Sequence, residues 1–186
     1  MPRRILLLLL LVLPTLVRGQ RGPVYARPAA YAGLYSSPEA ARTRTPRLVR
    51  YDLAVRDTVL VRGGARNHAL ATNGQVPAPT LTSTEGDTAL IYVRNNTGRT
   101  ISFHWHGMLL PNRYDGVPIL TTEPIAPGTV HTYRFAIKQH GTLWYHSHTR
   151  LNEQLGQYGP IVVYPPTPLP TPDQVVLLSD WTRERP

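Results

Sequence analysis

Short runs of β-type residues, separated by turn signals, are the feature that most constrains what this chain can fold into. The runs are rich in β-branched and aromatic residues, and the best helical candidate between them, 149–155, is short. They lie at 48–55, 58–61, 88–93, 101–105, 130–135, 142–145 and 161–164. Turn-forming pairs such as Asn73-Gly74 and Pro127-Gly128 separate them. The pattern predicts an all-β, Greek-key sandwich.

The first 19 residues have the features of a secretory signal peptide. Arg3 and Arg4 precede the apolar run 5–13, and small residues precede a cleavage site after Gly19. Pro14 and Arg18 interrupt the apolar character before the roughly 20 residues that a membrane span needs. The sequence therefore predicts an exported protein, periplasmic or secreted, with a retained membrane anchor as the alternative.

Changes in composition divide the rest of the chain into four parts. Residues 20–46 are rich in Arg and Pro and predict a flexible lead-in. The β-type runs place the sandwich domain at 47–164, and the Pro-rich stretch 165–173 predicts a linker. Residues 174–186 open with a further β-type run. We interpret this run as the truncated start of a second domain, and the alternative is a strand that completes the first sandwich.

The net charge of +9 raises the question of nucleic-acid binding. Three arginines lie in the predicted signal peptide, and many others crowd between Arg21 and Arg66. They are not interleaved with aromatic residues on one predicted helix face, as a stacking or groove-binding surface requires. The sequence therefore favours a solvated basic segment and no nucleic-acid partner.

Two His-x-His pairs, His104-Trp105-His106 and His146-Ser147-His148, are the strongest chemical signal. On a β-strand, residues i and i+2 point to the same face, with Cα atoms roughly 7 Å apart. Two such strands at a spacing of about 5 Å would bring four imidazoles together. Neutral imidazoles bind copper, zinc, iron or nickel, and copper(II) binds most tightly of the divalent ions. The spacing predicts a site for one or two metal ions, and solvent-facing or core histidines are the alternative.

The other three histidines lack such partners. His68 lies in a polar segment that we interpret as a loop, His131 lies in a predicted strand, and His140 precedes a turn glycine. For each we predict a solvated or hydrogen-bonded role rather than metal ligation. The chain contains no cysteine, which excludes disulfides and any blue electron-transfer copper site within it.

Five segments around the histidine pairs carry a resemblance to a known family. They are His104-Trp105-His106-Gly107, Asp115-Gly116-Val117-Pro118, Pro127-Gly128, Gly141-Thr142-Leu143-Trp144-Tyr145-His146-Ser147-His148 and Tyr158-Gly159-Pro160. They resemble the first cupredoxin-like domain of multicopper oxidases, especially the bacterial copper-resistance oxidases and laccase-like enzymes. Residues 73–81 and 85–87 match the early part of that domain as well. The similarity runs from about residue 51 to residue 181.

The resemblance implies a role for each residue of the pairs. His104 would bind the type 2 copper of a trinuclear cluster, His106 and His146 would share one type 3 copper, and His148 would bind the other. Asp115 matches an acidic residue that helps to deliver protons to bound oxygen, and a turn-forming aspartate is the alternative. Trp105 and Trp144 are expected to pack the ligand strands rather than to carry electrons.

In complete family members, four more cluster histidines and the type 1 copper site come from a C-terminal domain. The sequence therefore predicts the N-terminal part of a multicopper oxidase, which couples one-electron oxidation of a phenolic or cuprous substrate to reduction of O₂. Another chain that contributes the missing ligands would be its partner. The alternative is a non-catalytic copper-binding protein that buffers or carries the ion.

Overall fold

The chain forms eight strands in the computed structural model, which describes residues 44–167 and 174–181. The strands are β1 (Leu48–Arg62), β2 (Ala65–Thr72), β3 (Leu81–Thr84), β4 (Thr88–Asn95), β5 (His104–His106), β6 (Val130–Ala136), β7 (Gly141–His146) and β8 (Tyr158–Tyr164). The predicted signal peptide 1–19 lies outside the described residues, as do lead-in residues 20–43, linker residues 168–173 and the last residues, 182–186.

The strands are arranged in two four-stranded sheets, with the orders β2-β1-β4-β6 and β3-β8-β7-β5. The pairs β1/β4 and β3/β8 are parallel, and the other neighbours are antiparallel. After the β1–β2 hairpin, the chain changes sheet at every connection up to β7. This arrangement confirms the predicted all-β sandwich.

One apolar core fills the space between the sheets, with residues from both of them. Its largest fully buried side chains are aromatic, and they include Trp105, Tyr133, Tyr145 and Phe103. Trp105 is the middle residue of β5, so the alternation of a strand directs its ring into the core and leaves its two neighbours on the other face. The packing of this one side chain therefore decides where the histidines of β5 point.

The structure differs from several local predictions in the part of the chain before β4. Residues 48–62 form one continuous strand rather than two, and β2 and β3 were not predicted. His68 lies on β2 rather than in a loop, and its Nε2 is 2.9 Å from Oδ1 of Asp57 on β1. The turn between the strands is Gly63-Gly64, with φ angles of 55° and 77°. A two-residue hairpin turn of this type needs positive φ at both positions, which glycine adopts without strain.

Two further predictions differ from the structure. In the predicted run 101–105, only His104 and Trp105 belong to a strand, β5. Ile101 forms an isolated bridge with Ile125. Residues 174–181 form no strand, because a strand requires a hydrogen-bonded neighbour and this segment pairs with none of the described strands. The division into domains stays a prediction. No helix among the described residues has the length and apolar character to span a bilayer.

Candidate metal centre

The pairing of β5 with β7 brings the two histidine pairs together. In this antiparallel pair His104 lies opposite His146, and His106 lies opposite Trp144. Residues opposite each other share a face, so the histidines of β5 and β7 point away from the core, while Trp105 and Tyr145 point into it. His148 follows β7 by two residues, and its ring centroid is 4.8 Å from that of His104. The structure thus places all four imidazoles in one cluster.

The nitrogen atoms of the cluster lie at distances that suit metal ions. One ring nitrogen each from His104, His146 and His148 lies within 4.8 Å of the others. His106 Nδ1 is 3.3 Å from His146 Nε2. Two nitrogens at that separation fit one shared ion with metal–nitrogen bonds of about 2.0 Å. The donor set, imidazole without thiolate, is one that copper accepts.

A backbone carbonyl orients His104. Its Nδ1 lies 2.6 Å from the carbonyl oxygen of Asp115. Because a carbonyl only accepts hydrogen bonds, Nδ1 must carry the proton, and Nε2 keeps its lone pair for a metal. The carboxylate of Asp115 is also close, with Oδ1 3.5 Å from the same nitrogen. The structure therefore places Asp115 beside the cluster, as the resemblance implies, and gives its backbone a role that the sequence did not indicate.

Desolvation favours the neutral form of two of the imidazoles. Desolvation lowers the pKa of His146 below its ordinary value, and the nearby His148 and His104 add to this effect, while Glu153 opposes it. The pKa of His148 is lowered as well, mainly by burial and then by His104. A metal binds the neutral imidazole, so these shifts reduce the competition between protons and a metal ion near neutral pH.

A network of hydroxyl groups fixes the second pair beyond the end of β7. Ser102 Oγ accepts hydrogen bonds from the backbone N–H of His148, at 3.0 Å, and from the hydroxyl of Thr149, at 3.0 Å. Ser147 Oγ accepts from the Thr149 N–H at 3.0 Å. The buried amide of Gln157 donates to the Ser102 carbonyl at 2.7 Å. Ser102 and Gln157 were not singled out in the sequence, because the residues that they contact are distant along the chain.

The two tryptophans of the histidine segments lie on opposite faces of the sheet. Trp105 is 1% exposed and packs against Tyr133, with ring centroids 5.0 Å apart. Trp144 lies on the histidine face and stacks on His146, with centroids 3.9 Å apart and planes 10° apart. Both contacts are packing contacts, which is the role that the sequence analysis expects for them.

The remaining three histidines lie outside the cluster that the structure defines. His68 is paired with Asp57, and His140 Nδ1 contacts a carboxylate oxygen of Glu85. His131 is on β6, as predicted, with its ring against Tyr133 at 4.5 Å. His68 and His140 thus have the polar partners that a hydrogen-bonded role requires, and His131 makes a ring contact that the sequence did not indicate.

Comparison with known proteins connects this site to a family. The sequence model of the multicopper oxidase family matches residues 54–168, a range that contains the whole cluster. The chain belongs to this family. It is 42% identical over 162 residues to copper resistance protein A of Pseudomonas syringae pv. tomato, and this match covers 83% of this chain and 27% of that protein. It is 39% identical over 139 residues to laccase-2 of Botryotinia fuckeliana, which covers 72% of this chain and 24% of that protein.

Solved structures of multicopper oxidases share the fold. The blue copper oxidase from Nitrosomonas europaea matches with a TM-score of 0.62 and 42% identity, over 67% of this chain and 41% of that one. The laccase from Botrytis aclada matches with a TM-score of 0.61 and 40% identity, over 64% of this chain and 23% of the laccase chain. These neighbours confirm the predicted cupredoxin-like sandwich. The chain spans about a quarter of the length of the curated multicopper oxidase relatives that it matches.

Proposed function

We propose that this chain binds copper through His104, His106, His146 and His148 and supplies half of the ligands of a trinuclear cluster. The observation that carries the proposal is the convergence of the four rings on one face of the β5–β7 pair. Membership of a family of copper oxidases supports copper over the other metals that accept imidazole. Bound copper would supply the one-electron redox chemistry that couples substrate oxidation to reduction of O₂ to water.

Each histidine has a distinct place in the proposed site. His104, with its Nε2 free, would bind the type 2 ion. His106 and His146 have facing nitrogens 3.3 Å apart and would share one type 3 ion, and His148 would bind the other. The 3.3 Å distance supports the shared pair, because the lone pairs of both nitrogens can then point to the same ion.

Asp115 is proposed to move protons. Reduction of one O₂ to two waters takes up four electrons and four protons, and a carboxylate beside the site can take a proton from solvent and pass it on. The Asp115 side chain is 29% exposed and lies 3.5 Å from His104, so it touches both solvent and the cluster. This position supports a relay, in addition to the backbone contact that orients His104.

The electron entry site is proposed to lie outside this chain. The chain has no cysteine for a type 1 copper, so a further part of a longer protein or a partner chain would supply that site and the remaining cluster ligands. Phenols or cuprous ions are the proposed substrates. A chain that holds copper without any such partner would instead be a copper-binding protein.

Copper content tests the proposal directly. The chain is loaded with copper(II), dialysed and analysed for metal, beside the double variant His104→Ala/His148→Ala. We expect retained copper in the wild type and its loss in the variant, because two of the four ligands are removed. The matched control is His68→Ala/His131→Ala, which removes two histidines outside the cluster and should retain copper. Equal copper in all three proteins would contradict the site.

We also propose that the chain acts outside the cytoplasm. The support is the signal-peptide pattern in residues 1–19. Expression in a bacterial host with fractionation should yield a mature protein in the periplasm or medium that begins at Gln20. Full-length protein in the cytoplasm, still beginning at Met1, would contradict export.

A further inference from the structure

A carboxylate contacts the most buried histidine of the cluster from the side away from the other ligands. Glu153 Oε2 lies 2.6 Å from His146 Nδ1. We propose that Glu153 is a positioning residue, which holds the His146 ring so that Nε2 faces the copper shared with His106. This inference rests on the proposed function, and it adds a residue that neither the motif nor the spacing of the histidines contains.

The direction of the hydrogen bond follows from the acceptors around His146. Nδ1 has two oxygen neighbours, the Glu153 carboxylate at 2.6 Å and the Ser147 carbonyl at 3.2 Å. Both oxygens accept, so Nδ1 carries the proton and donates it. Nε2 then has a free lone pair, and this is the nitrogen that lies 3.3 Å from His106 Nδ1. A carboxylate on the far nitrogen of a ligand histidine fixes the tautomer and raises the basicity of the ligand nitrogen.

The backbone around Glu153 is held in place by the core. Residues 149–156 form hydrogen-bonded turns, and the Gly156 N–H donates to the Glu153 carbonyl at 2.8 Å. The Leu70 N–H on β2 donates to the Leu155 carbonyl at 2.8 Å, which ties the turn to the first sheet. Asn152, next to Glu153, is 2% exposed. Because the backbone is already ordered, the entropy cost of the contact is limited to the rotamers of the Glu153 side chain.

The rings of His104 and His146 are oriented by different groups. The His104 ring is held by the backbone carbonyl of Asp115, a contact that does not depend on the Glu153 side chain. The His146 ring is held by the Glu153 side chain at its edge and by Trp144 stacked on its face at 3.9 Å. The orientation of His146 can therefore be changed by one substitution in the turn, and the response of His104 is an internal reference.

Copper affinity is the measurement that tests this role. The full chain is prepared metal-free and titrated with copper(II) against a competing chelator, as wild type, Glu153→Ala, Glu153→Gln and Gln154→Ala. We expect Glu153→Ala to weaken binding about 10- to 100-fold. Glu153→Gln should weaken it less, because the amide oxygen still accepts from Nδ1–H. Gln154→Ala, an exposed neighbour in the same turn, should bind as the wild type does.

A second readout separates positioning from general damage to the fold. In ¹⁵N spectra of the metal-free protein, the Nδ1 resonance of His146 should shift in Glu153→Ala, while that of His104 stays in place. Wild-type affinity and an unmoved His146 resonance in Glu153→Ala, with binding still lost in His146→Ala, would overturn the role of Glu153 and leave the proposed site intact. Wild-type binding by His146→Ala would overturn the proposed function and this inference with it.

Discussion

Replacing Gly116 with alanine is expected to destabilise the metal-free fold by about 2–5 kcal/mol and to weaken copper binding. A Cβ at this position would lie 1.6 Å from the Phe103 carbonyl oxygen and 3.0 Å from the His104 Cα. Both are backbone atoms, so no side-chain movement relieves the overlap. The loop would have to move away from β5, and the Asp115 carbonyl that orients His104 would move with it.

A second glycine separates the overlap from the backbone conformation. Gly116 has φ of +85° and Gly128 has φ of +74°, but a Cβ at Gly128 meets no atom within 4 Å. Gly128→Ala should therefore cost only about 1–2 kcal/mol, the penalty for an L-residue in the left-handed region. Urea unfolding followed by circular dichroism measures both variants. Equal losses of unfolding free energy would show that the contact with Phe103 and His104 does not matter.

The part of the site that sequence alone predicted is the part that depends on local geometry. The period of two along a strand puts His104 and His106 on one face without any knowledge of the fold. Knowing that two such pairs meet required one long-range pairing, β5 with β7, and the resemblance to a family supplied it. The convergence of the rings was predictable for this reason.

The contacts that orient the rings were not predictable in the same way. The sequence indicated Asp115 for its carboxylate, but it is the backbone carbonyl of this residue that orients His104. That contact depends on a loop that passes close to β5 at Gly116. Glu153 lies in a turn with no chemical motif, and its side chain reaches His146 only because the turn folds back on β2. Such contacts join residues through tertiary structure, for which spacing along the chain gives no signal.

The same distinction explains the strands that were missed. β2 contains Arg66, Asn67 and His68, which make it polar at its start, and only its second half is buried. Its strand conformation comes from pairing with β1 across the Gly63-Gly64 turn. β3 is four residues long and is held by parallel pairing with β8, a partner about 80 residues away along the chain. Tertiary pairing outweighed a weak local preference in both strands.

Replacing Trp105 with alanine is expected to lower the unfolding free energy of the metal-free chain by about 3–5 kcal/mol. β5 has only three residues and lies at the edge of its sheet, so its position depends on this buried ring between its two histidines. The ring packs against aromatic side chains of both sheets, with centroids 5.0 Å from Tyr133 and 5.9 Å from Tyr145. Loss of the ring leaves a cavity that these rigid neighbours cannot fill.

Trp144→Ala is the matched control, because it removes the same side chain from the opposite face of the adjacent strand. Trp144 is partly exposed and does not fill space in the core, so its removal should lower the unfolding free energy by only about 1 kcal/mol. Both variants are measured by urea unfolding without metal, since a bound ion would add its own stabilisation. A loss at Trp105 no greater than that at Trp144 would mean that burial between the histidines does not hold β5. A larger loss would show that the buried residue between the two histidines stabilises the sandwich and holds β5 in place.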